Sequence, residues 1–131
     1  MISVFAFTFS FTVFDPNVME RALMEYIVQC AQMQHQVFID IDKQRTTGSC
    51  LKLWLHGVRA KEGNQPIVML IDEYDAPIMS CFDWRLVNKT GWDAAEHAED
   101  VAAILKPFYS MTKSESDLFH LVFVTGMCFP L

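Results

Sequence analysis

Between two prolines, Pro66 and Pro77, the chain runs Ile67-Val68-Met69-Leu70-Ile71 and then turns abruptly acidic at Asp72-Glu73-Tyr74-Asp75. Five consecutive large apolar residues, β-branched at Ile67, Val68 and Ile71, follow a turn-like Gly63-Asn64-Gln65-Pro66. This pattern predicts a strand buried on both faces, at the centre of a parallel sheet with helices above and below. In such sheets the ligand crevice lies beyond the carboxyl ends of the strands, where Asp72, Glu73 and Asp75 fall. Three carboxylates so close in sequence repel one another, and a cation relieves that repulsion. Side chains alternate along a strand, so Asp72 and Glu73 diverge, one toward a metal and one toward a water.

The other segments supply the layers around that strand. Phe5, Phe7, Phe9 and Phe11 alternate with Ala6, Thr8 and Ser10, so residues 2 to 9 read as a strand with one apolar face, nearer a sheet edge than its centre. With no basic residue before Arg21 and no small-residue cleavage pattern, the segment reads as a strand rather than a signal peptide, and it is too short to span a bilayer. Asp15-Pro16 starts a helix, Asp at the N-cap and Pro at the first helical position. Met19, Ala22, Leu23, Tyr26, Ile27, Cys30, Met33 and Val37 follow at helical spacing. Residues 39 to 49 read as a surface loop, and Leu51, Trp54, Leu55 and Val58 as a short helix weakened at Gly57. Asp75-Ala76-Pro77 caps a short helix through about Phe82, a role that competes with any catalytic one for Asp75. Residues 83 to 92 read as an exposed excursion. Ala94, Ala98, Val101, Ala102, Leu105, Phe108 and Tyr109 mark a last helix, with a kink expected near 103 to 107 because Pro107 lies inside it. Phe119 to Thr125 is a second continuous apolar run, read as a buried parallel strand that sets Thr125 beside Asp72.

An apolar strand ending in Asp-Glu resembles the Walker B element of P-loop ATPases. The longer string from Val68 to Ile78 is more specific. Together with Leu105, Phe108, Tyr109 and Ser110, and with Phe119 to Gly126, it is similar to the predicted AAA-ATPase-like family, whose members often carry a PD-(D/E)XK nuclease-like domain further on. The resemblance is loose up to residue 60 and close from 66 to 126. It implies an α/β, partial P-loop NTPase (AAA-like) fold: a three-stranded parallel sheet with flanking helices, residues 2 to 9 pairing with 67 to 72, and 67 to 72 with 119 to 125. It also implies Asp72 as the magnesium residue, Glu73 as the catalytic base and Thr125 as a polar sensor, with Mg2+ and ATP as cofactors. The family's phosphate loop ends in Gly-Lys-Ser or Gly-Lys-Thr, whose backbone N–H groups cradle the phosphates. Gly48, Gly57, Gly63, Gly91 and Gly126 have no such spacing. Residues 1 to 131 therefore read as one partial domain without the Walker A strand and loop or the C-terminal part, and ATP is expected to bind it weakly.

Composition limits the alternatives. A chain of 131 residues has room for one core and none for a nuclease domain as well. Hydrophobic residues make up 52 %, so either the core is dense or some apolar surface is meant for a partner. A net charge of −6 argues against a dedicated nucleic-acid-binding module. Cys30, Cys50, Cys81 and Cys128 show no ligand spacing and read as buried free thiols in a reducing, intracellular compartment, cytoplasmic or nuclear. His35, His56, His97 and His120 read as solvated or singly hydrogen-bonded, not as ligands. Beside the ATPase reading stand three others. Asp72 and Glu73 merely end a strand, and Thr125 satisfies a backbone group. The chain is an interaction module that adds a strand at an exposed sheet edge. A metal-dependent nuclease fragment is the weakest, because no catalytic Lys follows at motif spacing. An enzyme reading requires a protein partner that supplies the missing phosphate loop.

Overall fold

The computed structural model describes residues 2–9, 16–83 and 91–126, excepting the side chains of Pro16 and Asn17. Phe11, the proposed cap Asp15, most of the 83–92 excursion and Cys128 lie outside the described residues. Three strands, β1 (Ser3–Thr8), β2 (Ile67–Asp72) and β3 (Phe119–Val124), form one parallel sheet in the order β1-β2-β3. The connections carry α1 (Pro16–His35) and α2 (Thr47–Glu62) between the first two strands, then α3 (Ala76–Met79) and α4 (Ala94–Ser114) between the second pair. The α/β class, the parallel pairing and the strand order are as the sequence predicts.

Burial departs from expectation. Phe5, Phe7, Ile67, Met69 and Ile71 are buried against the three long helices, whereas Val4, Leu70, Leu121 and Phe123 on the opposite face are 38–55 % exposed. Neither β2 nor β3 is buried on both faces, and β3 is exposed along most of its length. The cause is topological. Crossovers between parallel strands are right-handed, and two successive crossovers that step in the same direction deliver their helices to the same face. Covering the second face requires the strand order to reverse, and β1-β2-β3 never reverses. A run of apolar residues says that a strand is greasy, not which side a helix lands on.

The covered face is tightly interlocked. β1's rings dock between α2 and α4: Phe5 lies 4.4 Å from Trp54, Phe7 5.1 Å from Trp54 and 5.2 Å from Phe108, and Phe9 5.4 Å from Phe108. α1 buries Met19, Leu23, Met24, Ile27, Cys30 and Ala31; Met33, expected in this stripe, is 71 % exposed. At ~100° per residue Met33 lies about 120° round the helix from Ile27, outside the arc that α1 buries, and the helix closes at Gln36, which takes φ 52° while its N–H reaches Gln32 O.

The 39–49 segment is not wholly a loop. It contains a 3-10 turn (Ile41–Lys43), and α2 begins at Thr47, capped by Thr46 and Ser49 in a reciprocal box. That makes the second helix 16 residues long rather than short. The helix runs through Gly57 unbroken, and Val37 packs where a Cβ would stand. α4 carries on past Pro107. A proline there removes the partner of the Ala103 carbonyl and crowds that turn; nearby, Thr47 Oγ1 donates to Ile104 O at 3.0 Å. The buried cysteines Cys30, Cys50 and Cys81 are free thiols, with their pKa values pushed up by burial, Cys50 to about 11.

Candidate active site at the carboxyl edge of the sheet

At its carboxyl end β2 meets β3 through a small set of bonds that brings residues far apart in sequence together. Thr125 N donates to Ile71 O at 2.8 Å, and Thr125 Oγ1 donates to Asp72 Oδ1 at 2.6 Å. The distance from the same hydroxyl to Ile71 O is 3.5 Å, so its single proton goes to the carboxylate. Glu73 N also donates to Asp72 Oδ1, at 2.9 Å, and Tyr74 N donates to Thr125 O at 3.1 Å. The juxtaposition of Asp72 and Thr125 read from the sequence is therefore present. The backbone reason is that both strands stop in register, Ile71 opposite Val124.

The three carboxylates do not form one acidic face. Asp72 and Glu73 are exposed, while Asp75 is 1 % exposed and faces inward. Asp75 occupies the N-cap position of α3, but its side chain makes no capping bond there. Glu73 takes φ 53°, in the left-handed region, immediately after the strand. A non-glycine residue in that region is uncommon, and the Asp72 side chain that accepts its N–H helps to hold the reversal. The reversal turns the chain out of the strand at Glu73 and lets Asp75 fold beneath it. Among the described residues, no group of three or more His, Cys, Asp or Glu is gathered as a metal cluster.

Below the acidic end lies a buried layer that the sequence reading did not anticipate. A Cβ on Gly126 would stand 2.4 Å from the Tyr74 ring and 2.6 Å from Asp75 Oδ1, so only glycine lets β3's end lie this close. The Tyr109 hydroxyl is buried with no hydrogen-bond partner among the described residues. Its pKa is raised, first by burial and then by the neighbouring Tyr74 and Asp75. The signal available in sequence was the Thr125-Gly126 pair itself, since a glycine directly after an apolar strand marks close backbone approach. On the uncovered side of the sheet, a hollow of about 250 Å³ is bordered by Thr8, Leu70, Asp72, Phe123 and Thr125.

The predicted histidines are elsewhere. His35 Nδ1 accepts from Trp54 Nε1 at 3.0 Å beneath β1, and His97 stacks 3.8 Å from Trp92 at the start of α4. His56 approaches Glu115 at 4.0 Å, and His120 is exposed on β3. None is drawn to the acidic edge.

A three-stranded parallel α/β sheet whose central strand ends in an exposed Asp-Glu pair, with a hydroxyl from the neighbouring strand on the Asp, is compatible with part of a P-loop-like α/β fold. The chain belongs to the AAA-ATPase-like family: the family model described as a predicted AAA-ATPase matches residues 3–129. No curated protein and no solved structure matches it. Among the described residues, no helix is long and apolar enough to cross a membrane.

Proposed function

We propose that this chain carries the acidic half of an ATPase site, with Asp72 holding magnesium, Glu73 activating the attacking water and Thr125 orienting Asp72. The observation that carries the reading is the 2.6 Å bond from Thr125 to Asp72, at the adjoining ends of two parallel strands in a family of predicted ATPases.

The residues fit magnesium in one respect. Asp72 Oδ1 is taken by Thr125 and Glu73 N, which fixes the carboxylate plane and leaves Oδ2 without a hydrogen bond among the described residues. A carboxylate locked on one oxygen and open on the other suits an ion that keeps most of its waters and binds one or two carboxylates plus phosphate oxygens. Bound with a nucleotide, magnesium supplies charge neutralisation at the phosphates. The residues do not fit the phosphates themselves, because the sequence contains no Gly-Lys-Ser or Gly-Lys-Thr. The reading therefore places the glycine loop outside residues 1 to 131, in a neighbouring segment or a second chain, on a strand beyond β3. A strand there, connected back toward β1, reverses the strand order and brings a helix to the uncovered face.

Glu73 then serves as the proton acceptor for water, its carboxylate exposed beside Asp72 and its backbone turned by the left-handed conformation. Thr125 keeps the Asp72 carboxylate from rotating. A second reading, a strand-adding interaction module, rests on the exposed apolar residues Leu121 to Val124 of β3.

Thermal melts with and without magnesium test the site in the chain itself. The wild type gains stability with magnesium and Asp72→Asn does not; no gain in the wild type rules out an intact metal site in this chain. If a partner supplies the glycine loop, Glu73→Gln abolishes hydrolysis by the pair and leaves nucleotide binding nearly intact. Hydrolysis unaffected by Glu73→Gln would remove Glu73 from the mechanism.

A further inference from the structure

The two edges of this sheet are finished differently. In β1 the odd residues bond to β2, as Ser3 N to Pro66 O at 2.9 Å and Phe9 N to Asp72 O at 3.1 Å show. The N–H and C=O groups of Val4, Ala6 and Thr8 therefore point away from the sheet, toward the open edge. Half of these six groups are already taken by side chains of α1. Gln34 Oε1 accepts from Ala6 N at 3.0 Å, Gln34 Nε2 donates to Ala6 O at 2.8 Å, and Tyr26 OH accepts from Thr8 N at 3.0 Å. The Gln34 amide thus meets Ala6 as a peptide group of a neighbouring strand would, with one donor and one acceptor on the same residue.

Among the described residues, β3 has no such cover. Thr125 N bonds to Ile71 O, and beyond the register irregularity beside Ile67 and Val68 the odd residues of β3 face β2, so the N–H and C=O groups of Val122 and Val124 face outward. No hydrogen bond to these outward groups occurs among the described residues. Fixing a long Gln side chain costs rotamer entropy of the same order as two exposed hydrogen bonds return, so net stability does not explain Gln34. Occupying the edge does, because an unpaired edge strand is a template for another chain.

We infer that Gln34 and Tyr26 seal the β1 edge against pairing with a second copy of this chain, so that β3 is the edge left for sheet growth. The inference is independent of any nucleotide chemistry at Asp72. The seal works by occupancy: an incoming strand must first displace the Gln34 amide and the Tyr26 hydroxyl, both tethered to a helix that is itself packed into the core.

Amide hydrogen exchange and sedimentation of the whole chain test this. In the wild type the Ala6 and Thr8 amides are protected. In Gln34→Ala, a change to a good helix former at an exposed position, Ala6 loses protection by about tenfold or more, as loss of one hydrogen bond allows. Phe5 and Phe7, bonded to β2, keep theirs and report that the sheet is intact. Tyr26→Phe does the same to Thr8. The double variant self-associates more strongly than the wild type as concentration rises, with Ala6 regaining protection in the associated form. Unchanged Ala6 exchange in Gln34→Ala with Phe5 and Phe7 protected overturns the inference, and so does wild-type sedimentation of the double variant at every concentration. Should the double variant lose protection at Phe5 and Phe7, Gln34→Ala alone decides by the same two measurements.

Discussion

At the scale of single residues, two side-chain contacts make the most definite claims. Thr125 bonds a carboxylate, and a hydrogen bond to a charged group is stronger than a neutral one. Because the bond is open to solvent, Thr125→Val should cost only about 1 kcal/mol of stability by urea denaturation, less than a buried bond to a charged group. Thr125→Ser keeps the donor and should restore most of it. His35 makes the second claim. Its Nδ1 accepts the Trp54 indole proton, which requires the neutral ring, and burial, offset in part by Glu62 and reinforced by Lys61, holds its pKa below 6.5. The unfolded chain therefore binds the proton more readily. Stability is full above pH 6.5 and declines as the pH falls from there toward the folded-state pKa. Melts between pH 7.5 and 5 should show this decline, and His35→Gln, which keeps an acceptor but does not titrate, should make the slope shallower.

At the scale of elements, the two glycines of α2 separate propensity from packing. Gly48 and Gly57 both lie inside the helix, where alanine is favoured by about 1 kcal/mol. A Cβ on Gly48 would stand 2.4 Å from the Pro107 carbonyl oxygen of α4, a backbone atom that cannot swing aside. A Cβ on Gly57 would meet Val37 Cγ1 at 2.6 Å, a side chain just past α1. Gly48→Ala should therefore destabilise the protein by about 1–3 kcal/mol despite its better propensity, through the strain of overpacking. Gly57→Ala should cost less, and thermal or urea melts of the two variants give the order. From the sequence both glycines are simply poor helix formers, because a glycine's neighbours in space are invisible from its neighbours in the chain. The start of α2 is set locally, by the box between Thr46 and Ser49, whereas the Thr47 hydroxyl finds Ile104 only after α2 and α4 are packed.

At the scale of the whole molecule, one-sided cover makes the sheet a two-faced object. Phe5 and Phe123 are both strand phenylalanines, yet Phe5 is 0 % exposed and Phe123 55 %. Phe5→Ala should cost about 3–5 kcal/mol, the usual loss for a buried aromatic ring. Phe123→Ala should lie within about 0.5–1 kcal/mol of wild type, as for substitutions at exposed sites. Equal losses in urea denaturation would mean that the second face is covered in solution. A formal charge of −6 gives the copies mutual repulsion, which opposes association through that face.

The sequence's own patterns marked the strands, and the resemblance to the AAA-ATPase-like family supplied the order in which they pair. Alternation and continuous runs are written residue by residue: Phe5, Phe7 and Phe9 mark a strand with one apolar face, and Ile67 to Ile71 and Phe119 to Val124 mark two more. The sequence also marked Asp72 and Thr125 as the polar ends of two apolar runs, and the pairing of Ile71 with Val124 sets them side by side. Tertiary structure decided what no local pattern encodes. Handed crossovers put every long described helix on one face, Asp75 turned inward without making the capping bond read for it, and Gln34 found the open edge of β1. Each depends on where the chain returns after tens of residues, and burial and pairing are fixed only by that return.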